Sequence, residues 1–157
     1  MLASLIRRIR RNHGLEHATI HVLSEKFKNF SAQGNSNHTG FSLNIYGDIP
    51  EEAVASAVRE AHQRLQKGEH QLAVHPNCGT VLLTTATMAT LAAQGSLAWE
   101  QRRHGRSPWS FNILVNALPG AILAVVGALI ISRPLGIHLQ ARYTVDGRIG
   151  DLDIAAI

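Results

Sequence analysis

Hydrophobic positions in the first 27 residues recur at helical spacing: Leu2, Ile6, Ile9, Ile20 and Phe27 fall on one side, with Arg7, Arg8, Arg10 and Arg11 mostly off it. The pattern predicts an amphipathic helix over 2–27, suited to lie along a lipid surface or to present a basic solvated face. Alternation then replaces that period. Phe41-Ser-Leu-Asn-Ile-Tyr46 predicts a strand, a shorter one is expected near Phe30 to Gln33, and the turn cluster Gly34-Asn35-Ser36-Asn37 joins them into a hairpin. Asp48 ahead of Ile49-Pro50-Glu51-Glu52 predicts the capped start of a helix running to about Lys67, where Gly68 ends it. Leu72-Ala-Val74 reads as a third short strand leading into His75.

The second half changes character. No Asp, Glu, Lys or Arg occurs from Thr80 to Trp99, nor from Ser107 to Ser132. Each stretch is long enough to cross about 30 Å of hydrocarbon. The first carries Thr84, Thr85, Thr87, Thr90, Gln94 and Gly95, which suit a helix packed on a partner, and Pro119-Gly120 is a candidate kink in the second. Gln101-Arg-Arg-His-Gly-Arg106 is the expected connection. The fold class predicted is α+β: a small helix-strand-strand-helix-strand domain over 1–79, a two-helix transmembrane hairpin over 80–133 with spans near 80–99 and 110–132, and a tail over 134–157. A hairpin puts the N-terminal domain and the tail on one side. Basic residues flank it at both ends, so the positive-inside rule does not choose that side. With no cleavable signal peptide evident before it, the domain is expected to be cytoplasmic.

Charge adds a partner to this picture. The net charge is +4 and the pI near 9.8, while aromatic residues make up only 5%, which disfavours a base-stacking platform for nucleic acid. The arginines cluster at 7–11 and again as Arg102, Arg103 and Arg106, next to apolar segments, so membrane lipids are the expected partner rather than nucleic acid. A membrane-protein partner or a homo-oligomer is also open. One cysteine excludes an internal disulfide and fits a reducing compartment or a metal-ligand role.

The candidate chemistry lies in two motifs. His13-Gly-Leu-Glu-His17 puts two imidazoles within about 40° of each other on a helix, with Glu16 flanking them and His21 one turn on. H-x-x-E-H is the inverted zincin pattern, in which two histidines hold zinc and the glutamate takes a proton from its water. Because the same face is apolar, satisfied core histidines are the competing reading. The second motif, His75-Pro-Asn-Cys78-Gly-Thr80, sits where Pro76 and Gly79 force a turn and Thr80 or Asn77 can cap the next helix. A helix N-terminus favours thiolate, so His75 and Cys78 are both candidate ligands, against an inert buried cysteine as the alternative. His38, His62, His70, His104 and His138 are expected to face solvent. Glu51, Glu52, Glu60 and Glu69 are possible acidic ligands.

His13-Gly-Leu-Glu-His17-Ala-Thr-Ile20, His75-Pro-Asn-Cys-Gly-Thr80, and Pro134-Leu-Gly-Ile-His-Leu-Gln140 with the following Thr144 resemble three landmarks of the YqhQ-type bacterial membrane proteins, in order and across most of the chain. That family is predicted to be metal-dependent and has no known activity. The resemblance implies that His13, Glu16, His17, His75 and Cys78 form a functional cluster, and that the chain crosses a membrane. This chain is shorter and lacks further spans, as a compact relative would. The expected function is a membrane-anchored, zinc-dependent hydrolase-like protein, with His13, His17 and His75 or Cys78 as ligands, Glu16 as catalytic base, and a membrane-embedded or lipid-linked substrate. The alternative is a non-enzymatic membrane protein whose structural metal serves partner binding.

Overall fold

In the computed structural model, which describes residues 1–104 and 111–157, the opening amphipathic pattern forms helix α1, Leu2–Lys26. Only its second half is buried. Leu15, Ala18 and Val22 recur at three- and four-residue spacing and, with the adjacent Leu23, pack on Ala57, Ala61 and Leu65 of α2, Glu51–Gln66. The alanines let the two helices approach closely. Full burial of Leu23 alone is worth about 1.5–3 kcal/mol. The first turns of the helix are not buried: Leu2, Leu5 and Ile6 are exposed.

Strands β1, Ser31–Ser36, and β2, Phe41–Tyr46, pair antiparallel, with Ser31 opposite Tyr46 and Ser36 opposite Phe41. A two-stranded sheet is marginal by itself. This one is held by Phe41 and Ile45, which point inward from β2 to the core that α1 and α2 share. The hairpin turn falls three residues later than the composition suggested. Gly34 to Ser36 belong to β1, because the Asn37 side chain closes the turn by accepting hydrogen bonds from the Thr39 backbone and hydroxyl and from the Gly40 backbone. The start of α2 also differs. Pro50, not Asp48, is its N-cap, with no side-chain cap bond.

The third strand is a correction. His70–Ala73 forms a single 3-10 turn, and the described sheet has two strands. Among the described residues no further strand pairs with this segment, and the carbonyls of Ala73 and Val74 bond imidazoles of α1 instead. The tail belongs to this same unit, which comprises Met1–His75 and Gln140–Ile157. Its Val145 and Ile149 are buried in the core. The Arg10 guanidinium donates to the Arg142 and Val145 carbonyls at 3.0 and 2.9 Å, and buried His62, expected at the surface, donates to the Leu152 carbonyl at 2.7 Å.

The second unit, Pro76–Leu139, contains α3, Gly79–Arg103, and α4, Phe111–Leu139. Both are long and apolar enough to cross a membrane. They pack antiparallel: Gly136 lies so close to Val81 that an added Cβ would stand 2.9 Å from its Cα. One turn along, the Thr85 and Ser132 hydroxyls meet at 3.0 Å, which satisfies a fully buried serine. Their other faces expose Leu83, Leu91, Leu123 and Ile130. α4 continues through Pro119 and Pro134 and runs beyond the expected end of the span. Of the expected connection, Gly105 and Arg106 lie outside the described residues, whereas Gln101 to Arg103 are still helical.

Candidate metal centre

Helix α1 supplies three imidazoles from successive turns, and each is oriented by a main-chain carbonyl. His13 Nδ1 donates to the Thr144 carbonyl at 3.0 Å, His17 Nδ1 to the Ala73 carbonyl at 2.8 Å, and His21 Nε2 to the Val74 carbonyl at 2.9 Å. A carbonyl oxygen only accepts, so each contact places the proton on that nitrogen and leaves the other one as the electron-pair donor. Carbonyl-anchored imidazoles of this kind are typical of metal-ligating histidines. The carbonyls are those of the 3-10 turn, its C-cap and the single π turn Gln140–Thr144, which explains why neither segment joins a regular ladder.

His75 completes a row. Ring centroids are separated by 4.4 Å for His13 and His17, 5.8 Å for His17 and His75, and 4.9 Å for His75 and His21. Burial, then the neighbouring His21 and His17, push the His75 pKa down to about 4, so it is a neutral base near neutral pH. Gln140 is fully buried. Its Oε1 accepts from the His75 backbone at 3.2 Å while its Nε2 lies 3.1 Å from His17 Nδ1. Since His17 Nδ1 carries its proton toward Ala73, the amide is placed here by its bond to His75.

The separations can be tested against coordination geometry. With metal–nitrogen bonds of about 2.0–2.1 Å, two imidazoles on one ion have centroids about 4.5 Å apart at a right angle and about 5.2 Å apart at the tetrahedral angle. The His13–His17 and His21–His75 pairs fall close to this range. A separation of 5.8 Å would need the angle opened to about 130°.

Glu16 is buried next to His17, yet about 100° around the helix from it. Its carboxylate accepts a hydrogen bond from the Ser36 hydroxyl of β1 and packs under Gly34, where an added Cβ would overlap the carboxylate. That overlap is why glycine stands inside this strand. Cys78 is buried and is the N-cap of α3 in the second unit. Of the candidate acidic ligands, Glu60 pairs with Lys26 and Arg64, Glu69 pairs with Arg64, and Glu51 and Glu52 are exposed.

The residues that sequence reasoning underrated are Gln140 and Thr144. Both stand at the close of the third landmark, and both touch the histidine row. His21, which the resemblance leaves out of the cluster, is part of the row.

An uncharacterized protein of Picosynechococcus sp. (strain ATCC 27264 / PCC 7002 / PR-6) is 34% identical over 98 residues, covering 58% of this chain. The chain spans 47% of that relative's own length. No solved structure matches the chain. Residues 8–157 match a domain of unknown function, DUF6391, and the protein belongs to that family.

Proposed function

We propose that this protein is a membrane-anchored, zinc-dependent hydrolase-like protein in which His13, His17 and Cys78 hold the ion. The observation that carries the reading is the pair of α1 imidazoles, 4.4 Å apart, each held by a carbonyl so that its second nitrogen can serve as ligand. Two imidazole nitrogens from His13 and His17 with the thiolate of the buried Cys78 would make a zinc donor set that leaves a position open. Chain connectivity supports the thiolate, because Cys78 follows His75 by three residues and cannot lie more than about 11 Å from it in Cα position. Zinc so bound supplies a water whose pKa falls toward about 7. Glu16 is the base that takes a proton in this reading. The likeness to the YqhQ-type proteins implies a cluster of His13, Glu16, His17, His75 and Cys78, which contains these three ligands and the base.

The ligand turn leads directly into α3, so substrates are membrane-embedded or lipid-linked, and the bacterial cell membrane with a cytoplasmic domain is the proposed setting. A second reading, a non-enzymatic protein with a structural metal that serves partner binding, is favoured by one contact. The Glu16 carboxylate is already engaged by Ser36.

The open position distinguishes the two. In Co2+-substituted protein in neutral detergent, added acetohydroxamate is expected to shift the visible d–d bands by taking the open site. An unchanged spectrum assigns a closed, structural centre. Glu16→Gln retains the metal in either case, and loses turnover of a substrate only in the first.

A further inference from the structure

His21 and His75 stand outside the three-ligand ion, and their spacing is compatible with two imidazoles on one ion. Their centroids lie 4.9 Å apart with ring planes at 61°, inside the spacing that two imidazoles adopt on one ion. His21 is fixed by its Nε2–H bond to the Val74 carbonyl, which turns Nδ1 into its donor atom. His75 is fixed from its own backbone by Gln140, at 3.2 Å. At 5.8 Å from His17, His75 does not share an ion with that residue at tetrahedral angles. The row therefore divides into two pairs rather than four ligands around one point.

We propose that His21 and His75 bind a second divalent transition-metal ion next to the first, so that the protein carries a two-metal centre. This rests on the three-ligand reading of His13, His17 and Cys78, and adds to it. Water or substrate oxygen completes the second ion's shell, since two imidazoles are its protein ligands, and it is the weaker and more exchangeable of the two. Neighbouring ions of this kind clamp both oxygens of a phosphoryl or carboxyl group undergoing displacement, which makes a phosphoester or carboxyl compound the substrate class.

The test is a Co2+ titration of the full chain in neutral detergent, followed by the near-ultraviolet thiolate-to-cobalt charge-transfer band and by equilibrium dialysis. Two equivalents are expected to bind, with the thiolate band complete after the first. His21→Gln, which retains an N–H donor for the Val74 carbonyl, is expected to bind one equivalent with the thiolate band intact, and His75→Gln the same. Saturation of wild type at one equivalent, with a full thiolate band, overturns the second site and leaves the first standing. Two equivalents retained in both variants also overturns it. Absence of the thiolate band, or of binding, overturns the three-ligand reading and this one with it.

Discussion

Gly14→Ala tests how tightly α1 is fitted to the segments that orient its histidines. In the interior of an ordinary helix this exchange stabilises by about 1 kcal/mol. Here the new Cβ would stand 2.6 Å from the Asp146 carbonyl oxygen, 3.1 Å from its carbon and 3.2 Å from Ala73 Cβ. To restore ordinary contact distances the 144–146 segment must withdraw by about 1 Å. It cannot do so freely. The Asp146 backbone donates to the Arg10 carbonyl at 2.9 Å, and the Arg10 guanidinium grips the Val145 carbonyl. Overpacking against tethered backbone costs about 3 kcal/mol, the upper end of the usual range. Net of the helix gain, the loss is about 2 kcal/mol, or about 4–8 °C in Tm for a chain of this size. The same displacement moves the Thr144 carbonyl away from His13 Nδ1, so in the proposed centre metal affinity should fall about 10–100-fold. Thermal melts in neutral detergent and competition with a chromophoric chelator read both effects. Gly95→Ala is the control, with nothing within 4 Å of its added Cβ. A Gly14→Ala protein that melts at or above wild type, with affinity intact, refutes the close fit.

Two further outcomes follow from the same unit. His75 has a folded pKa of about 4 against an ordinary 6.5, so in that window the unfolded chain binds the extra proton and metal-free protein loses stability as pH falls from 6.5 toward 4. The half-exposed ring reduces this to about 1–2 kcal/mol. Melts at pH 7 and pH 5 should differ less for His75→Gln than for wild type, and equal differences would contradict the assignment. Arg10→Met retains the aliphatic stem but removes two charge-assisted bonds to the Arg142 and Val145 carbonyls. It should cost about 2–4 kcal/mol and speed tryptic cleavage after Arg142 and Arg148, whereas cleavage at the wild-type rate would show that the clamp holds nothing.

Periodicity made most of the elements legible. Three- and four-residue spacing located α1 and α2, the alternation of Phe41, Leu43 and Ile45 located β2, and the absence of charge over 80–99 and 107–132 located the apolar helices. What periodicity could not see was tertiary bonding. Leu72 to Val74 has the composition of a strand, but the carbonyls of Ala73 and Val74 serve His17 and His21, and a 3-10 turn presents them. Gly34 looked like a turn residue. Its reason is the buried Glu16 above it, a contact between segments far apart in sequence.

The site divides along the same line. Helical spacing was enough to bring His13 and His17 together, and one further turn carries His21 onto the row. Gln140 lies 123 residues from His17, and nothing local in its sequence marks it as buried. The third landmark of the family resemblance was the one pointer to it. Glu16 shares the motif of the histidines but faces β1, because its position on the helix is set by Ser36 and Gly34 as much as by its neighbours.

The central claim is that the α1 imidazoles exist to hold a metal ion. Metal analysis of the protein, purified in neutral detergent without added chelator, addresses it most directly, beside a His13→Ala His17→Ala variant of matched fold by circular dichroism. Zinc in wild type, and its loss from the double variant down to at most the amount that His21 and His75 retain, is the predicted result. Wild type without bound metal, or a double variant with full occupancy, would contradict it.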